Sequence, residues 1–180
     1  MRRLATFSLL LGLAACAVPE ETPPETAAAP ATRRTPQELA ARLPERLEQF
    51  QRGNPAQLPG GQGVEYPYAT PGRRIAGQVQ LRAVTGPVGT EALDSELRAM
   101  AAEATAGPQH RRLRERGRES VAGLNCITLE GNFGRMPVDS LACAGAFGGK
   151  VLRLRLTMAR REGRMDEAKR FAEGIAAALR

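Results

Sequence analysis

Hydrophobic residues recur along this chain with two different periods, and the switches between them divide it into elements. Ile75, Gly77, Val79, Leu81 and Ala83 alternate with other residues, so residues 75–84 read as a strand. Residues 64–69 read as its hairpin partner, because Thr70-Pro71-Gly72-Arg73 between them is a favourable turn. Residues 151–158 alternate more strictly: Leu152, Leu154, Leu156 and Met158 share one face, Arg153 and Arg155 the other. Elsewhere the period lengthens to that of a helix. Leu93, Leu97, Met100 and Ala104 form one stripe of a helix expected from a Thr90 cap to Ala106, with Gly107-Pro108 as its stop. Met165, Ala168, Phe171, Ala172, Ile175 and Leu179 form the apolar face of a last helix over about 165–179. Its Asp166 and Glu167 suit the positive end of the helix dipole. Thr35-Pro36-Gln37-Glu38 offers a cap, a proline at the first helical position and a glutamate three residues after the cap. A short first helix is therefore expected, ending near Leu43 because Pro44 follows. Residues 44–51 read as irregular or extended, and 52–63, with four glycines and two prolines, as a loop.

Residues 124–130 and 139–147 flank Asn132-Phe133-Gly134-Arg135-Met136-Pro137. A two-residue turn at Gly134-Arg135, glycine first, fits type II′. That turn fixes a register. Cys126 then lies directly opposite Cys143, Glu130 opposite Asp139, and Pro137 at a site where its missing N–H costs the ladder nothing. Gly148-Gly149 makes a second tight turn, which places Leu154 opposite Cys143 and Leu156 opposite Leu141. The predicted order is helix, two strands, helix, three strands, helix. This is an α+β domain: an antiparallel sheet of about five strands, ending in a three-stranded meander, with helices packed on it. The order is loosely similar to that of PsbP-like α/β sandwiches, an analogy of architecture with no motif behind it.

Composition narrows the chemistry. The chain has 180 residues, 42% hydrophobic and 25% charged, with a formal charge of +7. No apolar run reaches the ~18–20 residues that a spanning helix needs. Lys150 and Lys169 are the only lysines, so the positive charge is almost entirely arginine. His110 is the single histidine, which argues against a histidine-based triad or a zinc enzyme. Ser95, Ser120 and Ser140 lie in no nucleophile-elbow context. Glu130 and Asp139 are a carboxylate pair, read as exposed beside Arg135 rather than as an acid–base couple. No catalytic constellation, metal site or cofactor site is expected.

Cys126 and Cys143 read as a disulfide, from their register and from the oxidising compartment argued below. Arg111, Arg112, Arg114, Arg116 and Arg118 crowd one short segment with His110. Two readings stay open for them. Guanidinium forks suit an anionic surface, and a charged stretch of this kind is equally a solvated connector between helix and strand. Arg153 and Arg155 extend such a patch or line the solvent side of an edge strand.

The amino terminus is more specific. Arg2 and Arg3 precede an apolar stretch over 4–13 that is too short to span and ends in small residues, as a secretory signal does. Leu13-Ala14-Ala15-Cys16 resembles the lipobox of bacterial lipoproteins at every position. The resemblance implies a signal peptide over 1–15, lipidation of Cys16, cleavage before it and acylation of the new amino terminus. Ala17, where aspartate is the inner-membrane retention signal in enteric relatives, points to the outer membrane. Residues 17–35 are rich in Pro, Thr, Glu and Ala and read as a disordered tether. Its root-mean-square reach is roughly 24 Å. Residues 36–180 are then a single domain carrying 22 basic and 16 acidic groups.

The expected protein is a membrane-anchored envelope lipoprotein facing the periplasm, with a non-enzymatic binding or scaffolding role. Its expected partners are the membrane, through the lipid on Cys16, and anionic envelope components or an envelope protein complex; nucleic acid is not expected. Two rivals have distinct signatures. An accessory subunit of an envelope assembly calls for an apolar surface patch besides the arginine-rich one. A small periplasmic hydrolase calls for a deep pocket with convergent carboxylates.

Overall fold

All five expected strands form, and four more join them. The computed structural model describes residues 34–106, 108 and 112–180, which lie in one compact unit. The lipobox, Cys16, the tether up to residue 33, His110 and Arg111 lie outside the described residues. The elements are α1 (Pro36–Ala40), β1 (Arg46–Leu47), β2 (Phe50–Arg52), β3 (Ala56–Gln57), β4 (Gly63–Ala69), β5 (Ile75–Ala83), α2 (Thr90–Thr105), β6 (Leu113–Val121), β7 (Leu124–Phe133), β8 (Met136–Phe147), β9 (Lys150–Ala159) and α3 (Arg164–Leu179). The fold is α+β, with nine strands among the described residues instead of about five. The strand order is β1-β2-β4-β5-β9-β8-β7-β6, with β3 beside β4, and every pairing is antiparallel.

Local sequence sets the boundaries. At α1 the Thr35 hydroxyl accepts from the Glu38 N–H at 3.1 Å and the Glu38 carboxylate accepts from the Thr35 N–H at 2.6 Å, the capping box expected. The helix stops at Ala40 and a turn carries the chain to Leu43. Thr90 does not cap α2: Gly89 is the cap residue and Thr90 the first helical one. The β7–β8 turn is as expected, with φ of 63° at Gly134 and no positive φ at Arg135. Phe133 pairs with Met136, Glu130 with Asp139 and Cys126 with Cys143. The next hairpin sets Leu154 against Cys143 and Leu156 against Leu141, again as read. Gly77 allows β5 and β9 to approach closely, since a Cβ there would lie 1.8 Å from the Arg155 carbonyl oxygen.

Two cores sit on the two faces of the sheet. On one face α1 and α3 pack against Tyr68, Val79, Leu152, Leu154, Leu156 and the disulfide. On the other, Leu97, Met100 and Ala104 of α2 pack against Leu113, Ile127, Leu129 and Val138. Tyr68 is buried and donates its hydroxyl to the Pro44 carbonyl at 2.6 Å; burial pushes its pKa up to about 12.

The second core corrects the reading of β9. This strand lies between β5 and β8, not at an edge, and carboxylates of α2 reach its Arg153. Arg153 is buried instead of solvent-facing. Its guanidinium donates to both Glu103 carboxylate oxygens at 2.8 and 2.9 Å, and Glu96 lies 3.6 Å away. Arg155 is half-buried beside it. Arg153 belongs to no surface patch, because Glu96 and Glu103 of α2 hold its guanidinium against the sheet.

Cys126 and Cys143 are disulfide-bonded with their Cα atoms 4.1 Å apart, within the larger core. The bond spans a sequence separation of 17, so removing it with Cys126→Ala and Cys143→Ala should lower unfolding free energy by about 3 kcal/mol. The fold should survive, since the surrounding leucines remain. Urea unfolding of wild type and double variant measures the loss; equal midpoints would contradict a closed bond.

Candidate functional site

The register of the sheet collects arginines from four distant segments at one of its ends. Pairing sets Ala69 against Ala76, Ile75 against Met158, Val138 against Ala159, Phe133 against Met136 and Leu113 against Gly131. The β4–β5 turn, the β7–β8 turn, the end of β9 and the start of β6 therefore share that end. The first turn carries Arg73 and Arg74, the second Arg135. Arg160, Arg161 and Arg164 follow β9, and Arg112 and Arg114 open β6. Two open clefts lie among these groups.

The first cleft, about 540 Å³, is lined by Arg112, Arg114, Arg160, Glu130, Asn132 and Thr105 among others. Here the arginines already hold carboxylates. Arg114 donates to Glu130 Oε1 through Nε at 3.0 Å and Nη2 at 2.6 Å. Arg116 lies 3.7 Å from Glu130 Oε2. Arg160 bridges the paired carboxylates, 2.9 Å from Asp139 and 3.3 Å from Glu130. The hydrogen bond from Arg114 holds the Glu130 carboxyl below its ordinary range, with Arg116 and Arg160 adding to the effect. Arg160, and not Arg135 as expected from the sequence, is the arginine that joins these two carboxylates. A carboxylate so stabilised in its charged form is a poor general acid.

The second cleft, about 500 Å³, has a different character. Ala76, Phe133, Met136, Val138, Met158 and Ala159 contribute its apolar lining, and Arg73, Arg74, Arg161 and Arg164 line it as well. No carboxylate is among its lining residues. Arg73, Arg74 and Arg161 are exposed, and none of the four is in an ion pair among the described residues. The Arg164 guanidinium donates to the Arg74 carbonyl at 3.0 Å, which clips the start of α3 to the β4–β5 turn. Met136, at 48% exposure, is the one exposed large hydrophobic side chain among the described residues.

From Leu113 onward the arginine-rich segment is strand rather than connector. Residues 113–121 form β6, an edge strand bonded on one side only, with an irregularity between Glu115 and Gly117. Leu113 and Val121 are buried at its ends while the charged residues between them are mostly exposed. Charges and a bulge are what keep an open edge from pairing with another chain. Arg112 and Arg114 reach the first cleft, Arg116 joins Glu130, and Arg118 lies 2.8 Å from Glu115. Of the four described arginines, Arg112, Arg114 and Arg116 gather around the first cleft and Glu130, whereas Arg118 pairs with Glu115. Ser140 is buried and donates to the Leu156 carbonyl at 2.6 Å, so its hydroxyl serves the sheet.

Arg73, Arg74, Arg160, Arg161 and Arg164 were not singled out in the sequence. The available signal was their position at the ends of predicted strands, but only the β5–β9 pairing brings those ends together. No protein-family model matches the chain, and neither a curated protein nor a solved structure is significantly similar to it.

Proposed function

We propose that this chain is a periplasm-facing lipoprotein, anchored through Cys16 in the outer membrane, whose domain binds an anionic envelope component with the basic end of its sheet. The convergence of Arg73, Arg74, Arg161 and Arg164 around a cleft without carboxylates supports this reading most directly. Arginines on an ordinary solvated surface sit among acidic neighbours, as they do around Glu130. At the second cleft the guanidinium groups have no ion-pair partner among the described residues, an arrangement that favours an anion supplied from outside. Binding is the role this arrangement supports, since four arginines and an apolar lining meet in one cleft.

The test uses residues 34–180, which hold both cores, the disulfide and every strand described, and so contain what stabilises the fold. This piece should bind inorganic polyphosphate, measured by titration calorimetry. Affinity should fall steeply between ~0.05 and ~0.3 M salt, as screening shortens the Debye length. The triple variant Arg73→Gln, Arg74→Gln, Arg161→Gln should lose most of the binding and keep its melting temperature, because all three side chains are exposed. If the domain shows affinity for neither polyphosphate nor anionic vesicles at low salt, the basic end is not a binding surface.

A further inference from the structure

An anion alone does not account for the floor of the second cleft. Phe133, Met136, Val138 and Met158 line it together with the four arginines, and the tip of the β7–β8 hairpin exposes Met136 beside the exposed Arg135 and Pro137. Apolar floor with cationic rim is the complement of an amphiphile, a molecule whose anionic head adjoins an apolar chain. The volume of about 500 Å³ falls within the ~300–1,000 Å³ usual for ligand pockets. Methionine suits the purpose, since its unbranched, polarisable side chain adapts to a flexible acyl chain.

A protein partner is the weaker fit. One large exposed hydrophobic side chain, Met136, does not supply the apolar centre of an interface, which usually buries more than ~1,000 Å² around several anchors. A lipid surface makes no such demand, because one apolar tip and several cations act together there.

The geometry points to an anionic phospholipid as the occupant: its acyl chain lies over Phe133, Met136 and Met158, and its phosphate sits between Arg73, Arg74, Arg161 and Arg164. The basic end thereby docks on an anionic bilayer with the hairpin tip at the headgroup–acyl boundary. The inference rests on the anion-binding reading above and narrows it to one ligand class.

Sedimentation of residues 34–180 with vesicles tests it, using phosphatidylcholine alone and phosphatidylcholine with phosphatidylglycerol, beside polyphosphate as an anion without a chain. The domain should bind the mixed vesicles and not the zwitterionic ones. Met136→Ser should weaken vesicle binding about fivefold, more than it weakens polyphosphate binding. The triple arginine variant should weaken vesicle binding about a hundredfold, since each cation near an anionic surface contributes about fivefold. Three results overturn the inference. Equal affinity for polyphosphate and mixed vesicles, with no effect of Met136→Ser, leaves anion binding intact and removes the acyl chain from the site. Binding to an alternating Glu/Leu peptide without binding to vesicles makes the partner a protein. Binding to none of the three removes the anion-binding reading as well.

Discussion

Phe171→Ala should be the most damaging single substitution in the core, lowering unfolding free energy by about 3–5 kcal/mol. The ring is fully buried on α3 and lies between two others. Its centroid is 4.2 Å from that of Phe50 on β2 and 5.0 Å from that of Tyr68 on β4, the second contact edge-on. One side chain therefore joins the last helix to the most amino-terminal part of the sheet. Truncation removes the transfer energy of a large ring and leaves a cavity between elements that are far apart in sequence. Against a typical total of ~5–15 kcal/mol the loss is a large fraction. Phe171→Leu should cost much less, since it keeps most of the volume. Urea unfolding with an unchanged slope measures both; a loss below ~1 kcal/mol for the alanine variant would mean that the three rings do not pack as described.

Legibility in the sequence followed the range of the interaction. The β7–β8–β9 meander was readable because its turns are two residues long and glycine fixes their geometry, so the pairing of Cys126 with Cys143 followed from counting. The apolar stripes of α2 and α3 were readable for a similar local reason. Strand β6 was not. Between Leu113 and Val121 its alternation is charged on both sides, and without an apolar face an edge strand resembles a connector. The short β1, β2 and β3 lie in a stretch rich in proline and glycine, where pairing with neighbours overrides weak local preference.

The pairing of β5 with β9 had the widest consequences. Ile75 meets Met158 across an intervening helix and three strands, a contact no local pattern announces. That pairing makes β9 central, buries Arg153 under α2 and moves Arg73 and Arg74 to the end that Arg161 and Arg164 occupy. The arginine-rich segment that the sequence displayed is partly neutralised by Glu115 and Glu130. The cationic cleft that carries the proposed function is assembled from residues the sequence kept apart. Linear charge density was therefore a poor guide to the site, and register a good one.

On the proposed anchoring, Cys16→Ser should change the location of the chain outright and leave its fold untouched. In the bacterial lipoproteins whose lipobox this segment resembles, the thiol accepts the diacylglyceryl unit and processing before the cysteine depends on that step; a serine hydroxyl is no substitute. The variant should accumulate as a precursor that retains Leu13-Ala14-Ala15, whereas wild-type chain extracted from membranes should begin at residue 16 and carry acyl mass. Intact-protein mass spectrometry reads both. A lipid-free wild-type chain beginning at Ala17 or later would contradict the proposal. Anchoring also bears on the basic end. A tether of the length expected for residues 17–35 converts docking into an intramolecular step at an effective concentration of about millimolar. Even a weak affinity of the free domain for anionic lipid then suffices to hold the cleft at the bilayer. In reconstituted vesicles the lipidated wild-type chain should protect its hairpin tip from hydrogen exchange on anionic lipid at concentrations where residues 34–180 alone remain unbound. Equal protection of the two would mean that the anchor contributes nothing to docking.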